Sequence, residues 1–361
     1  MTRRDLGLDD IESLAVGAWI LGTGGGGNPY LPLLNMRALY REGCRVQLMD
    51  PSDLADGDWV GTVANMGAPL VGQERLTDSL TLARAVTVME KHIGRRFVAL
   101  MGMEIGGANG VRPFMAAAHL KLPVVDADTM GRAYPELQMT SVAVGGLAPY
   151  PLTGVDVRGF ESIIVHKVPT WKWAERVLRK VCVEYGSVAA TSQPPRTGAE
   201  VKQWCIHGTV TKAMAIGHAV RDAQRRHEDP VAAILGIEHG KLLYKGKVVD
   251  VERRATEGFL RGIARFDGLD DWRGSELTIN FQNEWIIARR DGEPIAMSPD
   301  LICVLDSVSG EAVGSETIRY GQRVTVIALP PSSIFLSSRG LEHVGPRAFG
   351  YDIEFRSVFA T

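Results

Sequence analysis

The chain has 361 residues, with 40 Lys and Arg against 42 Asp and Glu and a formal net charge of −2. Nucleic-acid-binding proteins usually carry a basic stripe, and no basic block here is longer than two residues, so we expect no nucleic-acid partner. No apolar stretch reaches the roughly 18 to 20 residues needed to span a bilayer, and we therefore expect no membrane partner.

Helix and strand patterns alternate in the first third of the chain. Apolar spacing and capping residues predict helices at 8–21, 30–41, 77–93 and 111–120, and strands at 45–49, 59–65, 97–101 and 123–125. This alternation is typical of βαβ units with a mostly parallel sheet. Ligands of such sheets bind beyond the carboxyl ends of the strands. The segments predicted there are 65–67, 104–109 and 126–128.

The middle of the chain has weaker patterns. They predict strands at 142–144 and 163–168, helices at 171–182 and 210–226, and a loop at 192–198 where two domains could meet. From about residue 234, short β runs dominate. A hairpin is predicted at 242–249 with Lys-Gly at its turn, and strands at 277–281, 285–289, 302–305 and 324–328.

Together these elements predict an α/β N-terminal part with a mostly parallel sheet, followed by a smaller β-rich C-terminal domain. We expect an α/β domain at 1–165 that carries the glycine-rich and acidic loops. Residues 166–235 continue it or form a second subdomain, and 236–361 form the β-rich domain. The four cysteines lie far apart and the N-terminus lacks a signal-peptide pattern, so we expect a cytoplasmic protein.

A run of four glycines, Gly24 to Gly27, is followed by Asn28-Pro29. Such a run is costly in chain entropy, so it suits a place where backbone approaches a ligand or a neighbouring loop closely. A flexible turn between helices is the alternative. A dinucleotide-binding pattern is disfavoured because the run follows a helix rather than a strand. We predict that Gly24, Gly25, Gly26 and Asn28 contact substrate.

Carboxylates follow two of the predicted strands. Asp126 and Asp128 could act as a general base or hold a divalent cation, which is the only cofactor indicated. Alternatively, either residue could cap a helix. Glu104 is a catalytic candidate for the same reason, with a solvated acid in a tight turn as the alternative.

Four polar or small residues near these loops are predicted to bind substrate: Asn65, Gly67, Asn109 and Arg132. Arg132 could also pair with Glu136 on a helix face. His207 is predicted to act as an acid, although a structural role is the commoner one for a lone histidine. Cys205 and His207 would lie on opposite faces of a strand and could not pair directly.

Several catalytic motifs are absent. The chain has no GxSxG, HExxH or GxxxxGK[ST] pattern, which argues against a serine hydrolase, a zincin and a P-loop ATPase. The polar residues Asn283 and Glu284 interrupt a β run, and we interpret them as part of an exposed strand face.

Four phrases taken together resemble one known family: GTGGGGNP, VDADTMGRAYPELQM, FQNEWIIA and VGPRAFGYD. The sequence is similar to the S-methyl thiohydantoin desulfurase family, often encoded beside hydantoinase and oxoprolinase subunits. The resemblance runs from about Asp9 to Tyr351. Where the family phrase has Asn, this chain has Trp285. The resemblance implies a hydrolase that releases methanethiol from a five-membered ring, with an α/β N-terminal and a β-rich C-terminal part.

These observations predict a hydrolase acting on a hydantoin-like small-molecule substrate and forming a homo-oligomer. A non-catalytic accessory subunit of a hydantoinase or oxoprolinase complex is the alternative. A nucleotide-dependent enzyme is a third interpretation, based on the glycine run alone.

Overall fold

The computed structural model describes residues 3–67, 71, 78–159, 161–256 and 258–360. Its first part is an eight-stranded sheet with helices on both faces, in the order β1-β2-β5-β4-β3-β9-β7-β8. The strands of this sheet are β1 Arg3–Leu6, β2 Val46–Met49, β3 Trp59–Gly67, β4 Ala99–Gly102, β5 Val124–Val125, β7 Leu152–Asp156, β8 Ser162–Val165 and β9 Val188–Thr197. A separate two-stranded ribbon pairs β6 Ala127–Asp128 with β10 Ile206–His207.

The predicted α/β part is confirmed. Parallel pairing joins the four strands β2, β5, β4 and β3, while β1, β9, β7 and β8 pair antiparallel around them. The carboxyl ends of the parallel strands therefore share one edge of the sheet, and the segments after β3, β4 and β5 meet there.

Each of the six predicted helices overlaps a helix of the structure. The helices are α1 Leu8–Leu21, α2 Tyr30–Arg41, α3 Thr81–Ile93, α4 Arg112–Leu120, α5 Ser141–Val144, α6 Trp171–Glu184, α7 Gly198–Trp204, α8 Thr209–Arg226, α9 Pro230–Glu238 and α10 Ser338–Val344. The predicted start of the third helix at Thr77 lies outside the described residues. Among the described residues no helix combines the length and apolarity needed to cross a bilayer.

Helices α1 and α8 pack on each other at very short range. A Cβ on Gly17 would overlap the backbone of Ala213, and a Cβ on Gly217 would overlap that of Ser13. Glycine at both positions lets the two backbones touch, which fixes α8 against the first part of the chain.

Two predicted elements in the middle of the chain are wrong. Residues 142–144 lie in the short helix α5 rather than in a strand, because the Thr140 hydroxyl accepts from the Ala143 amide (3.3 Å) and caps a helical turn. Residues 192–197 form the end of β9 rather than a loop. Pro194 and Pro195 are tolerated because they lie at a bulge, where the pairing with β3 shifts register.

The C-terminal part is a seven-stranded antiparallel sheet in the order β15-β14-β13-β12-β11-β17-β16, which confirms the predicted β-rich domain. Its strands are β11 Lys241–Thr256, β12 Phe259–Gly268, β13 Glu276–Gln282, β14 Glu284–Arg290, β15 Glu293–Met297, β16 Leu301–Asp306 and β17 Arg323–Leu329. Because β9 belongs to the first sheet, residues 166–235 contribute to that sheet; the exact domain boundaries stay a prediction.

The hairpin predicted at 242–249 is wrong, because β11 runs straight through it. Gly246 pairs with strands on both sides and has no positive φ, so Lys245-Gly246 is not a turn. Glycine is required there for packing, since a Cβ would lie 2.6 Å from the Tyr244 ring and 2.7 Å from the Asp267 carbonyl oxygen.

Candidate functional site

A cavity of about 400 Å³ lies between the carboxyl edge of the parallel strands and the turn that joins β13 to β14. Six of the residues predicted from sequence line it: Gly26, Asn28, Asn65, Gly67, Glu104 and Asn109. Other residues with ionisable or amide side chains also line it: Arg112, Glu136, Glu175, Arg179, Gln193 and Glu284. Residues from the α/β part and from the β-rich part therefore line the same cavity.

Glu104 follows β4 and is buried at the cavity wall. Its carboxylate accepts hydrogen bonds from Asn109 Nδ2 (2.5 Å) and the Tyr134 amide (3.2 Å). Burial raises the pKa of Glu104 to about 7, although these donors and the nearby Arg112 and Arg132 pull it down. A carboxyl group with this pKa exchanges protons near neutral pH.

Glu284 enters the same cavity from the C-terminal sheet. Asn283 alone connects β13 and β14, and it adopts a left-handed conformation (φ 58°) that asparagine tolerates. Its amide donates to the Leu260 carbonyl (2.8 Å) and its side-chain Oδ1 accepts from the Leu260 amide (2.8 Å), which fixes the turn. The turn therefore holds Glu284 at a defined position against the first part of the chain.

The two glutamates influence each other. Burial raises the pKa of Glu284 well above its usual range, and the negative charge of Glu104 raises it further. Glu284 Oε2 is buried and has no hydrogen-bond partner among the described residues. The pKa of each glutamate is therefore displaced upward by burial, and the two carboxyl groups influence each other's protonation.

The lack of side chains in the glycine run leaves room for Glu284 to lie against its backbone. A Cβ on Gly25 would overlap the Glu284 carboxylate, one on Gly24 would overlap the Trp285 indole, and one on Gly26 would overlap the backbone of Gly106. Gly26 lines the cavity, whereas Gly24 and Gly25 lie behind it. The structure thus places close contact with a neighbouring site loop at these glycines, which is one of the alternatives that the sequence left open.

Trp285 is fully buried behind this loop. Its amide donates to the Thr23 carbonyl (2.8 Å), while its indole Nε1 is buried without a partner among the described residues. The indole fills the space that Gly24 leaves, so the residue that departs from the family phrase contributes to the wall behind the cavity rather than to its lining.

Arg132 does not line the cavity. Its guanidinium is buried and donates to the Thr23 hydroxyl and to the carbonyl oxygens of Asp300 (3.2 Å) and Ala133 (3.0 Å). It also lies over the Tyr134 ring, 4.6 Å from the centroid. Arg132 therefore joins the loops around the two glutamates and holds a positive charge near them, which differs from the predicted contact with substrate.

Asp126 and Asp128 do not converge on one site. Asp126 caps α8: its Oδ1 accepts from the amides of Val210 (2.9 Å) and Thr211 (3.1 Å). Asp128 is buried elsewhere and accepts from the amides of Ile105 (2.7 Å) and Gly131 (2.9 Å). Burial raises the pKa of Asp128 to about 8. Neither residue lines the cavity.

This geometry differs from the predicted cation site. The carboxylates of Asp126 and Asp128 accept hydrogen bonds from separate segments of the chain, which occupy the oxygens that a metal ion would need. Across the described ranges, no group of three or more His, Cys, Asp or Glu is arranged to hold one. The residues present therefore do not fit the divalent cation that the sequence suggested.

His207 is also separate from the cavity. It lies exposed in the ribbon opposite Ala127, and its Nε2 donates to the Val201 carbonyl (3.1 Å). Cys205 sits two residues earlier, and all four cysteines are free. Of the four predicted catalytic residues, the structure brings only Glu104 to the cavity.

The role of Asp126 as a cap leads to a stability prediction. Replacing Asp126 with Ala should lower the free energy of unfolding by about 0.5–2 kcal/mol, because α8 loses its N-terminal acceptor. Urea denaturation measures this loss, and the activity of the folded protein should stay unchanged. A loss of activity without a loss of stability would instead favour the catalytic role.

Glu284 is the residue that the sequence interpretation missed. The exposed strand face predicted at Asn283 and Glu284 is wrong, because both residues are buried. The signal in the sequence was the placement of an asparagine and an acid between apolar β runs: a tight turn at Asn283 brings the acid inward. The burial of Glu284 follows from its packing against Gly25, which is a contact of the tertiary structure.

Comparison with known proteins identifies the family. The description "S-Me-THD-like, N-terminal domain" matches residues 9–166, and "S-Me-THD-like, C-terminal domain" matches residues 169–358. A protein from Chloroflexus aggregans that is named as a 5-oxoprolinase subunit is 24% identical over 241 residues, which are 60% of this chain and 88% of that protein.

A crystal structure of a protein from Chromobacterium violaceum shares the fold. It superposes with a TM-score of 0.81 at 24% identity and covers 98% of this chain and 100% of that one. The two family matches together span nearly the whole chain, so this protein belongs to the S-Me-THD-like family, that of the S-methyl thiohydantoin desulfurases.

Proposed function

We propose that the chain is a hydrolase that releases methanethiol from a hydantoin-like five-membered ring. The observation that carries the proposal is the pair of buried glutamates, Glu104 and Glu284, at one cavity wall with pKa values displaced upward. Family membership supports the ring as substrate. The similarity to a 5-oxoprolinase component is consistent with it, since oxoproline is also a five-membered cyclic amide.

Glu104 acts as the general base in the first half of the reaction. A water oxygen bonds to the ring carbon that carries the methylthio group, and a water proton passes to Glu104. The adjacent ring nitrogen takes the proton of Glu284 as the carbon becomes tetrahedral. Pairs of carboxyl groups with different pKa values are suited to this division between acid and base.

The second half returns both groups to their starting state. The carbon–sulfur bond breaks, the remaining oxygen forms a carbonyl, and its proton passes to Glu284. The departing methanethiolate takes the proton held by Glu104. The products are a hydantoin-like ring and methanethiol, and water is the only other reactant.

A direct assay tests this proposal. Purified protein incubated with an S-methyl thiohydantoin should release free thiol, which a chromogenic thiol reagent detects, and should form the hydantoin ring seen by mass spectrometry. Neither product should form with heat-denatured protein. Failure of the native, folded protein to release thiol from any ring in a small panel of S-methyl thiohydantoins would contradict the proposal.

The pKa of Glu104 predicts the pH dependence. Burial raises this pKa to about 7, so the carboxyl is protonated and cannot accept a proton below that pH. We expect kcat/KM to rise about tenfold per pH unit up to about pH 7. Thiol release measured from about pH 5 to pH 9 checks this, and Glu104→Gln should abolish the rising limb. A profile that is flat down to about pH 5 would exclude Glu104 as the base.

A non-catalytic accessory role is the second candidate, and the similarity to the 5-oxoprolinase component from Chloroflexus aggregans favours it. In that case the chain should release no thiol by itself and should co-purify with a larger subunit of a hydantoinase or oxoprolinase. Affinity purification followed by the thiol assay on the isolated chain separates the two candidates. Homo-oligomer formation and a cytoplasmic location stay predictions, which light scattering and cell fractionation test.

A further inference from the structure

Arg112 and Asn65 lie where two cavities meet. Both residues line the cavity of about 400 Å³ and a neighbouring one of about 300 Å³. Arg112 is the first residue of α4, and Asn65 lies near the end of β3. A molecule bound beside the two glutamates could therefore extend a side arm to this junction.

The Arg112 guanidinium uses few of its donors. Its Nη1 donates to Asn109 Oδ1 (3.1 Å), a neutral acceptor, and no ion pair is found for it among the described residues. Burial lowers the pKa of Arg112 to about 10, so the group still carries its charge at neutral pH. An arginine has five N–H donors, and a partly buried charge without an opposite charge in contact with it is costly.

Neighbouring acids do not neutralise this charge by contact. The Asn109 carboxamide lies between Arg112 and Glu104, donating to the acid and accepting from the arginine. Asp78 lines the second cavity and is paired elsewhere. Its carboxylate accepts a hydrogen bond from the Leu80 amide (2.9 Å), and its Oδ2 lies 3.4 Å from Arg84 Nη2. Arg112 therefore lines the junction of the two cavities, and no carboxylate of the described residues is hydrogen-bonded to its guanidinium.

Asn65 adds a second donor. Its backbone amide donates to Asn109 Oδ1 (2.9 Å) and its carbonyl accepts from Asn109 Nδ2 (3.1 Å), which fixes this residue in place. Its own side-chain Nδ2 and Oδ1 are buried and have no hydrogen-bond partner in the described part of the chain. Leaving a buried amide unpaired is costly, so a bound group is expected to pair with it.

We propose that Arg112 and Asn65 bind a carboxylate on the substrate, so that the ring carries a short acidic arm. A planar guanidinium matches a carboxylate in a two-point contact, and the Asn65 Nδ2 can donate to the same group. The ring itself rests on the proposed function, whereas the anion site does not depend on turnover.

Calorimetric binding of two stable products tests the site. One ligand is a hydantoin with an acetic acid arm on the ring carbon, and the other carries the matching acetamide arm. The unaltered protein should bind the acid about 10- to 100-fold more tightly, the range for a hydrogen bond to a charged group. Arg112→Gln should remove this preference by weakening the acid alone, and Arg112→Lys should retain part of it.

The outcomes separate this inference from its alternatives. If Arg112 only adjusts the pKa of Glu104, Arg112→Gln should weaken the binding of both ligands equally and shift the pH profile of thiol release. That result would overturn the anion site. Equal affinity for acid and amide, or no binding of the acid, would also overturn it. Arg45 is exposed, so Arg45→Gln is the control that removes the same charge at the surface. Thiol release from a ring without an arm tests the proposed function separately.

Discussion

Replacing Glu284 with Gln should lower kcat for thiol release by about 10²- to 10⁴-fold, the contribution of a positioned proton donor. Glutamine has nearly the same shape, so it preserves the packing against Gly25 while removing the transferable proton. Burial raises the pKa of this carboxyl well above the usual range and so favours its neutral form, which glutamine resembles. The thermal midpoint should therefore change little, and the loss should be one of chemistry.

Glu316→Gln provides the matched control. Glu316 is another buried glutamate whose pKa burial raises, in this case to about 7, and it does not line the cavity. This variant should keep its thiol-release rate, which shows that neutralising a buried acid is not itself damaging. A Glu284→Gln variant with a kcat within about threefold of the unaltered protein would exclude Glu284 as the acid.

Replacing Gly25 with Ala should lower the proposed thiol-release activity by displacing Glu284. The added Cβ would overlap the Glu284 carboxylate, and because the backbone of Gly25 has no positive φ, the effect is purely steric. Displacing a reacting group by about 1 Å can cost about 10²-fold in rate. We expect at least that loss in kcat/KM, with a decrease of about 1–3 kcal/mol in the free energy of unfolding from overpacking.

A double variant identifies the cause of this effect. In a Glu284→Ala background the carboxylate is absent, so Gly25→Ala should no longer cost stability, and chemical denaturation measures this coupling. Gly57→Ala is the control for glycine substitution itself, since no atom lies within 4 Å of its added Cβ. Equal destabilisation by Gly25→Ala in both backgrounds would show that the overlap with Glu284 is not responsible.

Local patterns account for the parts of the fold that were predicted correctly. Helices α1, α2 and α8 and strands β13, β14 and β17 have apolar spacing and capping residues that determine their type within one window of sequence. The wrong elements depend on partners. Pro194 and Pro195 fit inside a sheet only because the pairing with β3 contains a bulge, and Gly246 lies in a strand because Tyr244 packs over it.

The same distinction applies to the candidate site. Placement after a predicted strand brought Glu104, Asn65 and Asn109 to attention, and the structure puts all three on the cavity wall. Asp126 and Asp128 had the same placement, but their side chains bind backbone amides of distant segments. Sequence spacing cannot distinguish an acid that faces a cavity from one that caps a helix, because both need the same residue type.

The sequence by itself determined the family, the α/β and β-rich parts, and the edge of the sheet that the candidate cavity adjoins. Only the tertiary structure decided which acids share that site, because Glu104 and Glu284 are 180 residues apart along the chain and come from different sheets. Their pKa values depend on burial, which both sheets create together. The four glycines were visible in the sequence, but only the structure shows that a Cβ at Gly25 would overlap the Glu284 carboxylate.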